Sequence, residues 1–401
     1  MRDNPTGKEE IKGSKLLQLI IYLLFGLGPL TGNVILVLFA VLSGEFGVPQ
    51  SAVAAAISAF MFPFAIIQLF SGAISDTIGR AKVILIGLVI FAGGMIIAAT
   101  SINLAMYIIA NVIAGFGFGL VNPSLIALMS DITPGPRMPM KMGFLGAVAS
   151  LGVAFGPILA GLLVSAGWRY LYIIFIVIIG MCFILFLIIK PPEKTSKSET
   201  SALKTLFTHF SQEIKRLSVI LMILSAFFVS MTYLAITIWT SRAFAGHLEE
   251  SLTGIIIGIA GLMAVISSTV SGILIQKIGV KVSLLLGFIP LFLGILILIL
   301  IPDVTSITDL WVVLIALSLS GIGGGSLFPG VLFYSQSLSK DHRGALAGLA
   351  TAGQFIGVAI VPIVYQPIFM FGGISAIYIT ILIIFFVLVL VFTGLYLKAR
   401  K

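Results

Sequence analysis

The residues best able to do chemistry in this chain form a charged cluster between two apolar runs, from Gly72 to Lys82 (GAISDTIGRAK). We predict Asp76 near the carboxyl end of a helix, where its negative charge opposes the helix dipole and needs a compensating cation. Arg80 follows four residues later and is the nearest candidate. Asp131 lies at the same predicted membrane face of a later helix. The cluster therefore indicates an ion-pair network.

Enzymatic chemistry has no comparable support. The three histidines lie outside the apolar runs, far apart, without the spacing of metal ligands. The glycines at 115, 117 and 119 resemble a phosphate loop but lie within an apolar helix and lack the Gly-Lys-Ser/Thr ending. We expect no enzyme, no cofactor and no metal, and an intramembrane enzyme is the remotest of the alternatives.

The composition is that of a polytopic membrane protein. The chain is 59% hydrophobic and 9% charged, against roughly 25% charged in soluble domains. Helices are the expected spans, since lipid offers no partner to an open backbone amide. Twelve apolar runs begin near residues 17, 51, 83, 104, 143, 170, 218, 251, 281, 308, 345 and 373.

The basic residues set the orientation. With both termini in the cytoplasm, all but two of the 23 lysines and arginines are cytoplasmic, the exceptions being Arg169 and Arg242, as the positive-inside rule requires. We therefore expect a multi-pass protein of the cytoplasmic (plasma) membrane, and the net charge of +9 does not indicate nucleic acid as a partner.

Two related halves are indicated by internal repeats. Gly72 and Gly79 recur as Gly272 and Gly279, and Gly119-x3-Pro123 recurs as Gly325-x3-Pro329, with an arginine downstream of each (Arg137 and Arg343). We predict a cytoplasmic tail (1–16), a six-helix bundle (17–190), a cytoplasmic linker with a surface helix (191–217) and a second six-helix bundle (218–401). The surface helix is predicted from one apolar face of Leu203, Phe207, Phe210, Ile214 and Leu217; a docked cytoplasmic helix is the alternative.

The fifth predicted span carries a ridge of small residues. Positions 152, 156 and 160 are Gly, Gly and Ala at steps of four, which allows close approach of a neighbouring backbone. Pro157 leaves one carbonyl without its helical donor and favours a bend. The complete motif comprises Gly143, Gly152, Gly156, Pro157 and Gly161.

These stretches resemble the signatures of a known family. The cluster from Gly72 to Lys82 resembles the loop between helices 2 and 3 of the major facilitator superfamily, and the fifth span resembles the helix 5 signature of its drug:proton antiporters. Gly167-Trp168-Arg169 is also similar to that group. The chain departs from the signatures at Thr77, where a base is usual, and at Asn111, in the place of an arginine tied to proton transfer.

The resemblance implies two six-helix bundles that rock about a central cavity. It implies a gating loop of Gly72, Asp76, Gly79, Arg80, Lys82, Asp131 and Arg137, in which the charge relay of Asp76, Arg80 and Asp131 latches the outward-facing state. It also implies a cavity lined by spans 1, 4, 7 and 10. The polar residues that these spans offer are Asn33, Asn111, Thr232, Tyr233, Thr237 and Trp239. Each is equally an interhelical hydrogen-bonding group in the alternative interpretation.

We therefore predict an all-α membrane protein of twelve transmembrane helices in two six-helix bundles, the major facilitator fold. The expected function is secondary transport, with export of small, largely apolar or neutral compounds. Proton coupling is implied by the resemblance, although no Asp, Glu, Lys, Arg or His lies at the centre of a predicted span. The alternatives are a uniporter or importer of a neutral metabolite such as a sugar, and a transporter-like sensor. The expected partners are a small-molecule substrate, the lipid bilayer and protons, and we expect a monomer.

Overall fold

The computed structural model describes residues 6–133, 137–191, 213–278, 280–338 and 343–399, and within these ranges the regular structure is helical. The helices of the first half are α1 (Thr6–Asn33), α2 (Ile35–Phe46), α3 (Gln50–Ile78), α4 (Arg80–Ala99), α5 (Leu104–Ile132), α6 (Met138–Leu163) and α7 (Arg169–Ile189). Those of the second half are α8 (Leu217–Phe244), α9 (Glu250–Ile278), α10 (Val280–Leu300), α11 (Ile307–Ser337) and α12 (Arg343–Ala399).

The helices account for twelve membrane crossings. Ten segments are long and apolar enough to cross a bilayer, and the last of them, Leu346–Leu395, has 50 residues, about twice what one crossing needs. The backbone of α12 leaves the helical region at Gly372 and Gly373, where φ is 63° at the second glycine. The shorter apolar helix Leu286–Leu300 within α10 supplies the twelfth crossing. The predicted fold class is confirmed.

The first predicted span, 17–42, is interrupted. It consists of α1 and α2, which are separated at Val34. Pro29 lies inside α1, the Thr31 hydroxyl donates to the Gly28 carbonyl at 3.0 Å, and the Asn33 amide donates to the Pro29 carbonyl at 2.6 Å. Side chains thus satisfy carbonyls near the proline, which cannot donate a backbone hydrogen bond.

The two halves repeat the same helix contacts. A Cβ on Gly94 of α4 would lie 2.8 Å from the Ala110 carbonyl oxygen of α5, and a Cβ on Gly294 of α10 would lie 2.6 Å from the Ala316 carbonyl oxygen of α11. The Ser71 hydroxyl donates to the Leu120 carbonyl at 2.6 Å, as Ser271 does to Ser326 at 3.1 Å. Small residues at matched positions let the inner helices of both halves pack backbone to backbone.

Burial separates inner from peripheral helices. In the most apolar 18-residue stretch of α8 and of α11, 56% of the residues are buried, against 28% in that of α7. Beyond its first turn, the exposed surface of α7 is apolar, as a lipid-facing helix requires, whereas α8 and α11 lie within the bundle. We call the face with Gly79 and Arg137 the inner face, and the face with Gly47 and Gly167 the outer face.

The predicted domain boundaries stay predictions. Most of the linker 191–217, including Leu203, Phe207 and Phe210 of the predicted surface helix, lies outside the described residues, as does Gly279 of the second motif copy. Of the same apolar face, Ile214 and Leu217 are exposed.

Candidate functional site

The charged cluster at the inner face joins three helices. Arg80, the first residue of α4, lies with Nη2 3.0 Å from Oδ1 of Asp76 in α3 and with Nη1 2.5 Å from Oδ2 of Asp131 in α5. Its Nη1 also donates to the Ala127 carbonyl at 2.5 Å. The side chain of Asp76 is 50% exposed, whereas that of Asp131 is 13% exposed. Asp131 is therefore the more enclosed partner, and all these residues belong to the first half.

The remaining residues of the predicted gating loop have different surroundings. Gly79 has φ 109° and connects α3 to α4, a conformation that favours glycine. A Cβ on Gly72 would meet nothing within 4 Å. No neighbouring helix among the described residues therefore packs closely against Gly72 in this conformation. Lys82 and Arg137 are exposed at the same face.

The glycine ridge of the fifth span packs against two helices. A Cβ on Gly156 of α6 would lie 2.6 Å from the Leu30 carbonyl oxygen of α1, and one on Gly161 would lie 2.6 Å from the Glu250 carbonyl oxygen at the start of α9. Gly152 faces α1 in the same way, at the Gly26 carbonyl. The ridge therefore lies between the first span of its own half and the eighth span of the other half.

Two members of this motif behave differently. A Cβ on Gly143 would meet nothing within 4 Å, so this glycine is not part of the packed ridge. Pro157 lies inside α6, which continues through it as one helix, and its carbonyl faces Gly254 of α9.

A matching ridge in the second half escaped sequence analysis. A Cβ on Gly353 of α12 would lie 2.9 Å from the Ile223 carbonyl oxygen, and one on Gly357 would lie 2.5 Å from the Phe227 carbonyl oxygen, both in α8. Gly353 and Gly357 stand 201 residues after Gly152 and Gly156. Their four-residue step was the available signal, but no proline accompanies it.

The contacts described between the two halves lie in the outer part and centre of the helices. Three side chains cross from one half to a main-chain carbonyl of the other: Ser58 to Ala359 at 2.6 Å, Gln50 to Ala245 at 3.3 Å, and Ser241 to Leu36. At the centre, the rings of Phe64 and Phe355 meet with centroids 4.6 Å apart. The conformation is therefore closed at the outer face.

Two polar candidates for the cavity are partly exposed and bonded within their own helices. The amide nitrogen of Asn33 donates to the Pro29 carbonyl, and that of Asn111 donates to the Tyr107 carbonyl at 2.8 Å. Each amide retains its oxygen as an acceptor.

The four candidates of α8 divide into two groups. Thr232 and Trp239 are fully buried, and Thr237 is 6% exposed. Trp239 stacks on Phe369 of α12 with centroids 5.2 Å apart. These three side chains are covered by protein in this conformation, and their place in the substrate cavity stays a prediction. Tyr233 is half-buried, with its ring against Gly324 of α11.

An ion pair at the outer face was also missed. Glu45 of α2 accepts hydrogen bonds from the Trp168 indole and from the Arg169 guanidinium. Arg169 also donates to the Ser101 carbonyl at 2.8 Å and lies over the Trp168 ring at 4.4 Å. The separation of Glu45 and Arg169 in sequence gave no signal for this pairing.

No group of histidine, cysteine and acidic side chains among the described residues has the arrangement of a metal site. Serine, threonine and amide side chains supply most of the polar groups inside the described spans. The arrangement can therefore bind a molecule through neutral hydrogen bonds and aromatic contacts. Its two halves are in contact at the outer face.

Twelve spans arranged as two repeated halves are an architecture found in membrane transporters. The family model of the Major Facilitator Superfamily matches residues 19–317 and 243–401. The chain belongs to this superfamily, and its relatives are transporters, not enzymes.

Relatives by sequence include two proteins named Quinolone resistance protein NorA from Staphylococcus aureus. The one from strain MRSA252 is 22% identical over 82% of this chain and 86% of its own length, and the one from strain COL is 24% identical over the same shares.

Solved structures show the same fold. The nucleoside transporter NupG superposes with a TM-score of 0.77 at 13% identity, covering 95% of this chain and all of that one. A POT family transporter in complex with 5-aminolevulinic acid gives 0.73 at 14% identity, covering 96% of both chains.

Proposed function

We propose that this transporter exports small, largely apolar or neutral compounds by alternating access. The observation that carries the proposal is the similarity to proteins named for quinolone resistance along most of both chains, because export of a drug confers resistance to it. The partly exposed side chains of Asn33, Asn111 and Tyr233 support neutral substrates, since they offer hydrogen bonds without a fixed charge.

The orientation belongs to the same proposal. The inner face carries Arg80, Lys82 and Arg137, and an excess of basic residues marks the cytoplasmic side of a membrane protein. With this orientation in the plasma membrane both termini are cytoplasmic, and the face that is closed in the present conformation is the external one.

Transport in reconstituted proteoliposomes tests the function. The purified chain would be assayed with the neutral dye N-phenyl-1-naphthylamine, the cation ethidium and radiolabelled glucose, with and without an imposed pH gradient. We expect movement of the neutral dye above that in protein-free liposomes and no movement of glucose. Saturable glucose uptake without dye transport would instead establish an importer or uniporter.

Proton coupling is the second part of the proposal, and the described acids limit where it can occur. Asp76 and Asp131 lie at the inner face and Glu45 at the outer face. Buried ionisable groups are the usual carriers of protons through a membrane protein. We infer that antiport, if driven by protons, uses these terminal acids or water.

A further inference from the structure

The ring of Tyr233 packs against Gly324, at a position where only glycine leaves room for it. A Cβ at position 324 would lie 2.6 Å from Cδ1 and 2.8 Å from Cδ2 of the Tyr233 ring, closer than carbon atoms pack. The first half has a comparable contact, in which the ring of Phe118 in α5 lies against Gly28 of α1. There the glycine belongs to the first span and the ring to the fourth, whereas in the second half the ring belongs to the first span of that half. The Phe118 ring carries no hydroxyl and is 2% exposed.

Four of the other polar side chains predicted for the cavity already have partners, and the Trp239 indole nitrogen, which has none among the described residues, is fully buried. The Thr232 hydroxyl donates to the Phe228 carbonyl at 2.7 Å, and the Thr237 hydroxyl donates to the Tyr233 carbonyl at 3.4 Å. Such bonds satisfy hydroxyls within their own helix. The amide nitrogens of Asn33 and Asn111 are bonded in the same way.

The Tyr233 hydroxyl differs from these groups. It makes no hydrogen bond to any other residue that the structure describes, and the residue is only partly buried, on one of the two most buried helices of the bundle. Buried phenols ordinarily find a partner. By contrast, the hydroxyl of Tyr378 lies 2.9 Å from that of Thr240.

We propose that the Tyr233 phenol is the hydrogen-bond donor that selects the substrate. Its ligand is a flat apolar compound with an exposed acceptor, such as a ring nitrogen or a carbonyl oxygen. The ring edge supplies apolar contact, Gly324 fixes the position of the hydroxyl, and the hydroxyl binds the acceptor. The inference rests on the proposed function for the class of substrate, but its test uses binding and does not require transport.

Two isosteric probes isolate the hydrogen bond. Acridine and anthracene have the same three-ring shape and differ in one ring nitrogen, an acceptor. Equilibrium binding of each to the purified, detergent-solubilised chain would be followed by probe fluorescence, for the parent protein and for Tyr233→Phe. We expect Tyr233→Phe to weaken acridine binding about three- to tenfold, the value of one hydrogen bond, and to leave anthracene binding unchanged.

The matched control is Tyr378→Phe. It removes a hydroxyl that is buried and bonded, so it should lower the thermal stability without changing acridine binding. Tyr233→Phe should do the reverse, since its hydroxyl has no described protein partner to lose. Equal weakening of both probes, no change with either, or no saturable binding of acridine by the parent protein would each overturn the proposal. If acridine binding depends on Tyr233 but the chain exports none of the tested compounds, the binding site is supported and the proposed export is refuted.

Discussion

Arg80 is held more closely by Asp131 than by Asp76. Its Nη1 lies 2.5 Å from the largely covered carboxylate of Asp131, whereas its Nη2 lies 3.0 Å from the half-exposed carboxylate of Asp76. The enclosed pair joins α4 to α5, and the exposed pair joins α4 to the helix just before it. We therefore expect the two acids to contribute unequally to the stability of this network.

The first prediction compares the two acids. Asp131→Asn should lower stability by about 1–3 kcal/mol, because it leaves the guanidinium enclosed without its main counter-charge. Asp76→Asn should cost no more than about 1 kcal/mol, as expected for an exposed pair. Thermal unfolding of both variants in the same detergent measures the difference. Equal losses of stability in the two variants would show that burial does not determine how much each ion pair contributes.

The second prediction concerns the conformational role of the network. If the relay latches the outward-facing state, Asp76→Asn should favour the inward-facing conformation and slow turnover, with expression near that of the parent. Labelling of single cysteines from each side of the membrane reports the bias. Unchanged labelling together with full transport would remove the latch role and leave a local contact among α3, α4 and α5.

The third prediction uses packed and open glycines of the same helix. Gly156→Leu should overpack the contact with Leu30 and cost about 1–3 kcal/mol, whereas Gly143→Leu should be tolerated, because a Cβ there meets nothing within 4 Å. Gly357→Leu and Gly348→Leu form the matching pair in α12, where a Cβ on Gly348 also meets nothing. Thermal stability and transport of the four variants give the comparison, and a harmful Gly143→Leu would contradict it.

The fourth prediction concerns the closure at the outer face. Ser58→Ala removes the hydrogen bond to Ala359 and should favour outer opening by about 0.5–1.5 kcal/mol, since this bond joins the two halves. Ser225→Ala is the control, because the Ser225 hydroxyl donates to the Leu221 carbonyl of its own helix at 2.7 Å. Distances between spin labels on the outer ends of α2 and α8 measure opening. Identical distance distributions for the two variants would count against a role of Ser58 in closure.

The fifth prediction concerns energy coupling. Because the described acids lie at the ends of spans, counterflow should be vigorous and the response to a pH gradient weak in the same vesicles. Substitutions of Asn33 and Asn111 should change substrate affinity and not pH dependence. A steep gradient response that Asp131→Asn abolishes would show that this acid carries the proton.

The sequence predicted the architecture well because hydropathy determines the number and positions of the spans, and the repeats indicate the two halves. The starts of most spans agree with the helices to within a few residues, and the offsets between repeats correspond to real contacts such as those of Gly94 and Gly294. The interruption at Val34 has no marker in the hydropathy, and Pro29 weakens the helix without fixing where it breaks.

The side-chain directions on α8 could not be predicted in the same way. Polar and apolar residues are spread around all sides of this helix, so no periodicity distinguishes the side chains that face α12 from those that face the centre. The burial of Trp239 and Thr232 was therefore not anticipated, nor were the contacts of Ser58 and Ser241 across the halves. Such pairings depend on how distant helices meet.

The bonds that hold the outer face shut have one property in common: each ends on a main-chain oxygen, that of Leu36, Ala245 or Ala359. The acceptor side therefore survives any substitution that keeps the backbone in place, so mutations there should be tolerated more readily than mutations of the donors. Neutral donors and carbonyl acceptors carry no net charge, and salt screens them little. These three bonds therefore need no counter-ion and no particular protonation state.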